Sequence, residues 1–188
     1  MALTILDANT ALLVVDLQKG LVGSPFNPVI SDVVARVRAL IDAFRGHGLP
    51  VVLINVAGGA PGRTEQPPRY RGGFPEGFTE FIAELDQQPS DLVVTKRTWG
   101  AFASTDLEDR LKAAGVTQVV VLGVATGSGV EATARQAYEQ GFNVTLAIDA
   151  MTDPRPEAHA YSIKTVFPRL GETGTSQEII DLLKTRSA

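Results

Sequence analysis

The sequence predicts an α/β fold, a three-layer α/β/α sandwich built around a mostly parallel sheet. Short apolar segments alternate along the chain with segments whose apolar residues recur at helical spacing. Because parallel strands need long crossover connections, this alternation favours right-handed helical crossovers that cover both faces of one sheet. At 188 residues, the chain is expected to form a single domain over residues 1–188.

Each element follows from its local pattern. Ser31 and Asp32 can cap a helix whose apolar residues, from Val33 to Phe44, keep to one face. Five apolar runs are typical of buried strands, and a short extended segment is expected near 172–173. The expected strands are 11–17, 50–57, 91–95, 118–122 and 142–148, and further helices are expected over 78–85, 106–114, from 130 onward, over 157–167 and over 177–184, the last capped by Ser176.

Composition excludes several classes of protein. No cysteine is present, which rules out disulfides, a thiolate nucleophile and cysteine-bound zinc. The formal net charge of −4 offers no basic surface, so no nucleic-acid partner is expected. The sequence shows neither a signal-peptide pattern nor an apolar run long enough to cross a membrane. We therefore expect a cytoplasmic protein with no membrane partner.

Four features fall at the carboxyl ends of expected strands, where open parallel sheets bind their ligands. They are Asp16, Lys96, Asp149 and the turn Gly123–Gly129, which reads GVATGSG. A strand that breaks at glycines and passes directly into a helix leaves backbone N–H groups unpaired, and these suit an anion or a developing oxyanion. This convergence predicts a functional site at one edge of the sheet.

Asp16 and Lys96 are the strongest candidates for chemistry. A carboxylate that closes a buried strand is costly to desolvate unless it is paired, and Lys96 could supply the compensating ammonium. Such a pair fits a general acid or base whose pKa is raised by burial and lowered by the ammonium. A purely structural role for Asp16 is the alternative. Asp149 is expected to support the glycine turn or to cap the next helix.

The glycine turn lacks the signatures of several well-known sites. It carries neither the Lys-Ser/Thr of a P-loop nor a GxGxxG dinucleotide pattern. Ser128 could be a nucleophile, but neither of the two histidines, His47 and His159, lies near it in sequence. Two histidines without a nearby partner also argue against catalytic zinc, so no metal and no cofactor are expected. Gly129 stands where a nucleophile would precede the helix.

Two other segments are candidate binding regions. Residues 58–77 read GGAPGRTEQPPRYRGGFPEG, and long loops in compact domains often act as lids or binding loops. The alternative is that this segment is a solvent-exposed loop with no role in binding. Trp99 and Phe102, which follow Lys96, could wall a pocket or pack in the core.

Five segments, which together cover nearly the whole chain, carry a family resemblance: VVDLQ at 14–18, KRTWGAF at 96–102, GVATGSGVEATARQAYE at 123–139, VTLAIDAMTD at 144–153 and FPRLGETGT at 167–175. Together they resemble the isochorismatase-like hydrolases, a superfamily that also includes nicotinamidases and N-carbamoylsarcosine amidases. The resemblance implies a six-stranded parallel α/β sandwich and an Asp-Lys-Cys triad, of which Asp16 and Lys96 match the first two members. It also implies a cis peptide bond at Val124–Ala125 that directs the Ala125 N–H toward a substrate oxygen.

The chain departs from this resemblance at one decisive position. Gly129 stands where the amidases have their cysteine, and a glycine cannot form an acyl-enzyme. The Asp-x-His…His zinc motif of nicotinamidases is also absent. True isochorismatases resemble this chain in having the glycine, and their vinyl-ether hydrolysis needs no covalent intermediate. By this resemblance Asp16 would protonate the enol carbon, which requires a carboxyl that is still protonated. Lys96 would bind a substrate carboxylate or hold the developing charge.

The resemblance also implies which residues contact the substrate. Isochorismate is dianionic, so its pocket needs cations that can clamp carboxylates. Candidates for this clamp come from the long loop: Arg63, Gln66, Arg69 and Arg71. The remaining candidates for substrate contact are Gln18, Trp99, Phe102, Val124, Ala125 and Thr126.

Three functions are open at this point. The first is hydrolysis of a small anionic enol ether without a cysteine, and the second is hydrolysis of another C–O or C–N bond by an aspartate-activated water. The third is a non-catalytic relative that binds a small ligand or a partner subunit. The presence of Asp16, Lys96 and the loop arginines favours the two enzymes. Because relatives assemble as homodimers or larger homo-oligomers, a homo-oligomer with a small-molecule substrate is expected.

Overall fold

The strands form one parallel sheet, as the sequence predicts. The computed structural model describes residues 3–66 and 73–185, and its six strands lie in the order β3-β2-β1-β4-β5-β6. All pairings between neighbouring strands are parallel. The strands are β1 (Thr10–Val15), β2 (Val51–Val56), β3 (Leu92–Lys96), β4 (Gln118–Val124), β5 (Asn143–Thr152) and β6 (Glu172–Gly174).

Helices connect these strands and cover both faces of the sheet. Short 3₁₀ segments occur at Ala83–Leu85 and Phe167–Arg169, and π-type turns occur at Thr126–Val130 and Ser162–Val166. Across the two described ranges, none of the helices combines the length and apolar character needed to span a membrane. The α-helices are α1 (Lys19–Val22), α2 (Ile30–Gly46), α3 (Leu107–Ala113), α4 (Glu131–Glu139), α5 (Pro156–Tyr161) and α6 (Ser176–Lys184).

The core has two layers, one on each face of the sheet. Side chains alternate between the faces of a strand, so Leu12 and Val14 of β1 pack on one side while Leu13 and Val15 pack on the other. The first layer is closed by α2 and α6, and the second is closed by α3 and α4. This arrangement confirms the three-layer α/β/α sandwich.

Residues 78–85 do not form the helix that the sequence predicts. Only Ala83–Leu85 is helical, as a single 3₁₀ turn. The preceding main chain bonds instead to the segment that follows β1, where Gly20 N donates to Phe78 O at 3.1 Å. These bonds between distant segments replace the bonds that a local helix would make.

Strand β5 is longer than the sequence predicts. It continues to Thr152, so Asp149 lies within the strand and does not end it. The register against β4 shifts between Val121 and Gly123, and the extra residues are accommodated on β5. Irregularities of this kind re-aim the side chains of the strand.

The last helix begins with a capping box at Thr175, whereas the sequence analysis placed the cap at Ser176. Thr175 Oγ1 accepts a hydrogen bond from Glu178 N at 3.3 Å, and the Glu178 carboxylate accepts one from Thr175 N at 2.7 Å. Ser176 instead donates from its backbone N and its Oγ to Asp149, at 2.6 and 2.8 Å. Asp149 therefore anchors α6 to β5.

Replacing Thr175 tests this capping box. Thr175→Ala removes the hydroxyl acceptor and is expected to lower the free energy of unfolding by about 1 kcal/mol. Thr175→Ser keeps the acceptor and should stay close to the wild type. Urea denaturation of the three proteins measures the difference, and an unchanged Thr175→Ala midpoint would contradict the assignment.

Candidate active site

The candidate site lies where the strand order reverses. The chain adds β2 and β3 on one side of β1 and adds β4, β5 and β6 on the other, so the reversal falls between β1 and β4. In open α/β sheets the crevice beyond the carboxyl ends at this point is the usual ligand site. Asp16 follows β1 here, Lys96 is the last residue of β3, and the glycine turn follows β4.

Asp16 and Lys96 form a buried ion pair, as the sequence analysis expected. Lys96 Nζ lies 2.8 Å from Asp16 Oδ2, and the two residues are only 1% and 4% exposed. Lys96 Nζ also donates to Thr98 O at 3.3 Å. The backbone of Asp16 leaves the extended conformation, with a φ of 54°, a left-handed value that aspartate tolerates better than most residues. This change of direction ends β1 at the site.

The two oxygens of the Asp16 carboxyl have different surroundings. Oδ2 accepts the bond from Lys96, whereas Oδ1 is buried and has no hydrogen-bond partner within the described part of the chain. Burial raises the pKa of Asp16 to about 6, although the charge and the hydrogen bond of Lys96 both act to lower it. Burial therefore outweighs the ammonium in the competition that the sequence left open.

Gly129 faces this carboxyl directly. A Cβ atom added to Gly129 would lie 2.9 Å from Asp16 Oδ2 and 3.2 Å from Val15 Cγ1. Cβ atoms in proteins essentially never come within 3.0 Å of such a neighbour, so any side chain at this position would require the Asp16 carboxyl to move. The carboxyl and the turn therefore share one crevice, and the glycine is what lets them approach.

The turn itself begins with a cis peptide bond between Val124 and Ala125, as the family resemblance implies. Val124 and Thr126 are buried, Ala125 is partly exposed, and Val130 N donates to Ala125 O at 3.2 Å. The main chain of this segment thus lies at the end of β4, facing the crevice between the strands.

Three residues that the sequence analysis did not place at the turn contact it. Asp153, Arg155 and His159 each make a side-chain hydrogen bond to a turn residue. The sequence predicts that Asp149 supports the turn or caps the next helix, but Asp149 accepts from Ser176 at the start of α6, and the turn is supported from Asp153, four residues later. Both aspartates lie in the segment DAMTD, and only the register of β5 distinguishes them.

Gln18 and Phe102 contact protein groups, and their expected role in binding substrate stays a prediction. Gln18 is fully buried, its Oε1 accepts from Val56 N at 2.7 Å, and its amide N–H groups donate to Val56 O and Phe78 O at 3.1 and 2.9 Å. Both amide N–H groups and one lone pair of the amide oxygen are therefore engaged by the protein. Phe102 is 4% exposed and packs against the Phe142 ring, with 5.9 Å between ring centroids.

The other expected substrate contacts lie on exposed segments. Trp99 is 67% exposed, three residues after Lys96. Arg63 and Gln66 are also exposed, in a stretch without helix or strand. Arg69 and Arg71 lie outside the described residues. The carboxylate clamp therefore stays a prediction.

Neither histidine is arranged as a metal ligand. His47 Nδ1 lies 2.8 Å from Ala43 O at the end of α2, and His159 is bonded to the turn. Within residues 3–66 and 73–185, no group of three or more His, Asp or Glu side chains is placed to hold a metal ion.

The raised pKa of Asp16 predicts how stability depends on pH. The contribution of protonated Asp16 to the free energy of unfolding is fully present below the pKa of the unfolded state, near 4. This contribution is lost as pH rises through about 6, the pKa in the folded state. The loss is at most about 3 kcal/mol. Urea denaturation at intervals between these two pH values should show the loss in the wild type and not in Asp16→Asn. Parallel pH profiles for both proteins would contradict the raised pKa.

Comparison with known proteins agrees with this geometry. The model of the isochorismatase domain matches residues 10–178. The chain is 38% identical over 181 residues to the uncharacterized isochorismatase family protein YwoC of Bacillus subtilis, covering 93% of this chain and 94% of that one. It is likewise 38% identical over 180 residues to the uncharacterized isochorismatase family protein YecD of Escherichia coli O157:H7, covering 93% and 96%. A solved isochorismatase family protein from Burkholderia thailandensis superposes with a TM-score of 0.92 at 36% identity, covering 96% of this chain and 98% of that one. The chain therefore belongs to the isochorismatase family of hydrolases.

Proposed function

We propose that this chain hydrolyses a small anionic enol ether of the isochorismate type, with Asp16 as general acid and with no covalent intermediate. The observation that carries the proposal is the contact between Gly129 and Asp16. Where a nucleophile would stand there is no side chain, and a carboxyl of raised pKa occupies the adjacent space. The family assignment supports a hydrolase of this class.

Ser128, the serine of the turn, does not supply a substitute nucleophile. The chain has no cysteine, and the hydroxyl of Ser128 accepts a hydrogen bond from the Arg155 guanidinium at 3.0 Å. A guanidinium stays protonated in proteins, so it cannot remove a proton from Ser128. Activation of a serine requires a neighbouring base.

The acid proton is assigned to Oδ1 of Asp16. Oδ2 is engaged by Lys96, whereas Oδ1 has no hydrogen-bond partner in the described ranges. With a pKa of about 6, a minority of the molecules carry this proton at neutral pH. A bound anionic substrate would raise that fraction, because a nearby negative charge disfavours the carboxylate.

The reaction then proceeds by proton transfer and addition of water. The proton on Oδ1 moves to the terminal enol carbon, which leaves an oxocarbenium ion on the substrate and a carboxylate on Asp16. Water adds to the cationic carbon and returns a proton to Asp16. The resulting hemiketal breaks into a 2-oxo acid and an alcohol. Lys96 remains an ammonium throughout and stabilises the Asp16 carboxylate through its bond to Oδ2.

Substrate recognition is assigned to the residues for which the family resemblance implies contact with the substrate. Arg63 and Gln66, with Arg69 and Arg71 of the same loop, would clamp the substrate carboxylates. The backbone N–H groups of Ala125 and Thr126, beside Val124, would face a substrate oxygen, and Trp99 would lie at the entrance.

A substrate screen in D₂O tests the proposed function. Isochorismate, chorismate, nicotinamide and simple amides are incubated with the protein, and products are followed by NMR and mass spectrometry. We expect hydrolysis of the isochorismate-type ether, with a solvent deuteron in the methyl group of the 2-oxo acid and no adduct in the intact protein mass. Amide hydrolysis, a trapped acyl-enzyme or inertness toward every enol ether would overturn the proposal.

Asp16 is expected to govern the pH dependence of turnover. Because the acid must be protonated, kcat/KM should fall about tenfold per pH unit above a pKa of about 6. Asp16→Asn should lower kcat/KM by at least about 100-fold and remove this dependence. A pH–rate profile of both proteins measures the effect, and a flat wild-type profile between pH 6 and 8 would remove Asp16 from the acid role.

Gly129→Ala tests whether the space beside Asp16 is needed. The added methyl group would approach Asp16 Oδ2 to 2.9 Å and displace the carboxyl from Lys96. We expect kcat to fall by about 10- to 100-fold, the usual scale for a misplaced catalytic group. Gly46→Ala, where the added methyl group meets no atom within 4 Å, is the matched control and should keep full activity. Equal activity of both variants would show that the close approach is unimportant.

A further inference from the structure

The glycine turn is held from one side by a segment that the proposed mechanism does not use. Three consecutive turn residues are hydrogen-bonded to side chains of residues 153–159. Thr126 Oγ1 lies 2.8 Å from His159 Nδ1, and Gly127 N donates to Asp153 Oδ2 at 2.8 Å. Ser128 Oγ accepts from the Arg155 guanidinium at 3.0 Å. One short segment therefore holds three consecutive residues of the turn.

Asp153 is the centre of these contacts. Its side chain is fully buried, and a buried carboxylate is stable only when its oxygens are bonded. Oδ2 takes the Gly127 amide, while Oδ1 takes the backbone N and the Nε of Arg155, at 2.9 and 3.2 Å. Its carbonyl accepts from Asn27 N at 3.2 Å, which ties the end of β5 to a second loop. Asp153 is thus fixed at both its side chain and its main chain.

The opposite side of the turn touches the acid. A Cβ on Gly127 would lie 3.0 Å from Ala158 Cβ, on the side of α5, whereas a Cβ on Gly129 would lie 2.9 Å from Asp16 Oδ2. The turn is therefore packed between α5 and the Asp16 carboxyl. Thr133 adds a separate restraint, because its hydroxyl donates to Gly129 O at 2.7 Å.

We propose that Asp153 is a positioning residue, whose carboxylate holds the Gly127 amide and thereby keeps Gly129 packed against the Asp16 carboxyl. The role rests on the proposed function, since the position of the turn matters for catalysis only if Asp16 is the acid. Asp153 touches no reacting atom. Its effect on the reaction is indirect. Asp153 fixes the position of Gly127, and the main chain of Ser128 and Gly129 transmits that position to the crevice. Without this restraint the turn would loosen and water would reach Asp16.

The experiment compares variants by kinetics and by carboxyl NMR. Asp153→Asn keeps one acceptor oxygen, while Asp153→Ala removes all three bonds to the carboxylate. Kinetics should show kcat lowered by about 10-fold for Asp153→Asn and by more for Asp153→Ala, with KM nearly unchanged. In protein labelled with ¹³C-aspartate, the carboxyl signal that disappears in Asp16→Asn is assigned to Asp16. This signal should titrate at lower pH in the Asp153 variants than in the wild type, because water that enters the crevice reduces the desolvation of the Asp16 carboxyl.

Two further variants separate positioning from general stability. Asp149→Asn is the matched control, since Asp149 is another carboxylate of β5 that accepts a backbone N–H, but at α6. Urea denaturation should show it less stable than the wild type, with kcat and the Asp16 titration unchanged. Arg155→Ala removes a half-exposed side chain that bridges Asp153 and Ser128, and it should fold normally and lower kcat by a smaller factor than Asp153→Ala.

The outcomes are distinct. An Asp16 titration that moves in the Asp153 variants and not in Asp149→Asn supports the positioning role. An unmoved titration, or equal shifts in all three proteins, overturns it. The NMR titration needs no substrate, so it decides the role of Asp153 even if no enol ether is hydrolysed. If no enol ether is hydrolysed but the Asp16 titration shifts in the Asp153 variants, only the proposed function is overturned.

Discussion

The buried ion pair between Asp16 and Lys96 is the interaction on which the candidate site depends. Neither charge could be kept away from water alone, and each compensates the other across 2.8 Å. The two residues are 80 positions apart in sequence and meet because β1, β2 and β3 are adjacent parallel strands that end at one edge. The sheet therefore supplies a carboxyl whose pKa burial has raised, beside an ammonium that stabilises its charged form.

The glycine at position 129 is part of this arrangement. In the space where a nucleophilic side chain would project, the Asp16 carboxyl is already present, 2.9 Å from the position of a Cβ atom. The family resemblance implies a cysteine at this position, and in this chain the space is filled by the close approach of the glycine and the carboxyl. The groups that remain can transfer protons and stabilise charge, which is the chemistry of general acid catalysis.

Position along the strands made the main parts of the site predictable. Asp16, Lys96 and the glycine turn each follow an apolar run, and the carboxyl ends of parallel strands share one edge, so their convergence follows from local patterns alone. The structural contacts of Gln18 could not be predicted, because its partners, Val56 and Phe78, are 38 and 60 residues away along the chain. A buried amide that joins two distant segments has no local sequence signal, and neither does an aromatic ring that packs in the core.

The sequence by itself determined the class of fold, the candidate carboxyl and ammonium of the site, and the absence of a thiol, because these depend on residue identity and on periodicity within single elements. Only the tertiary structure decided the rest. The competition over the Asp16 pKa was settled by burial, which arises from packing on every side. The choice between Asp149 and Asp153 as support for the turn was settled by the register shift of β5, since a strand's register depends on its neighbours. Contacts between distant segments, which no local pattern encodes, determine how the residues at the strand ends are arranged in the candidate site.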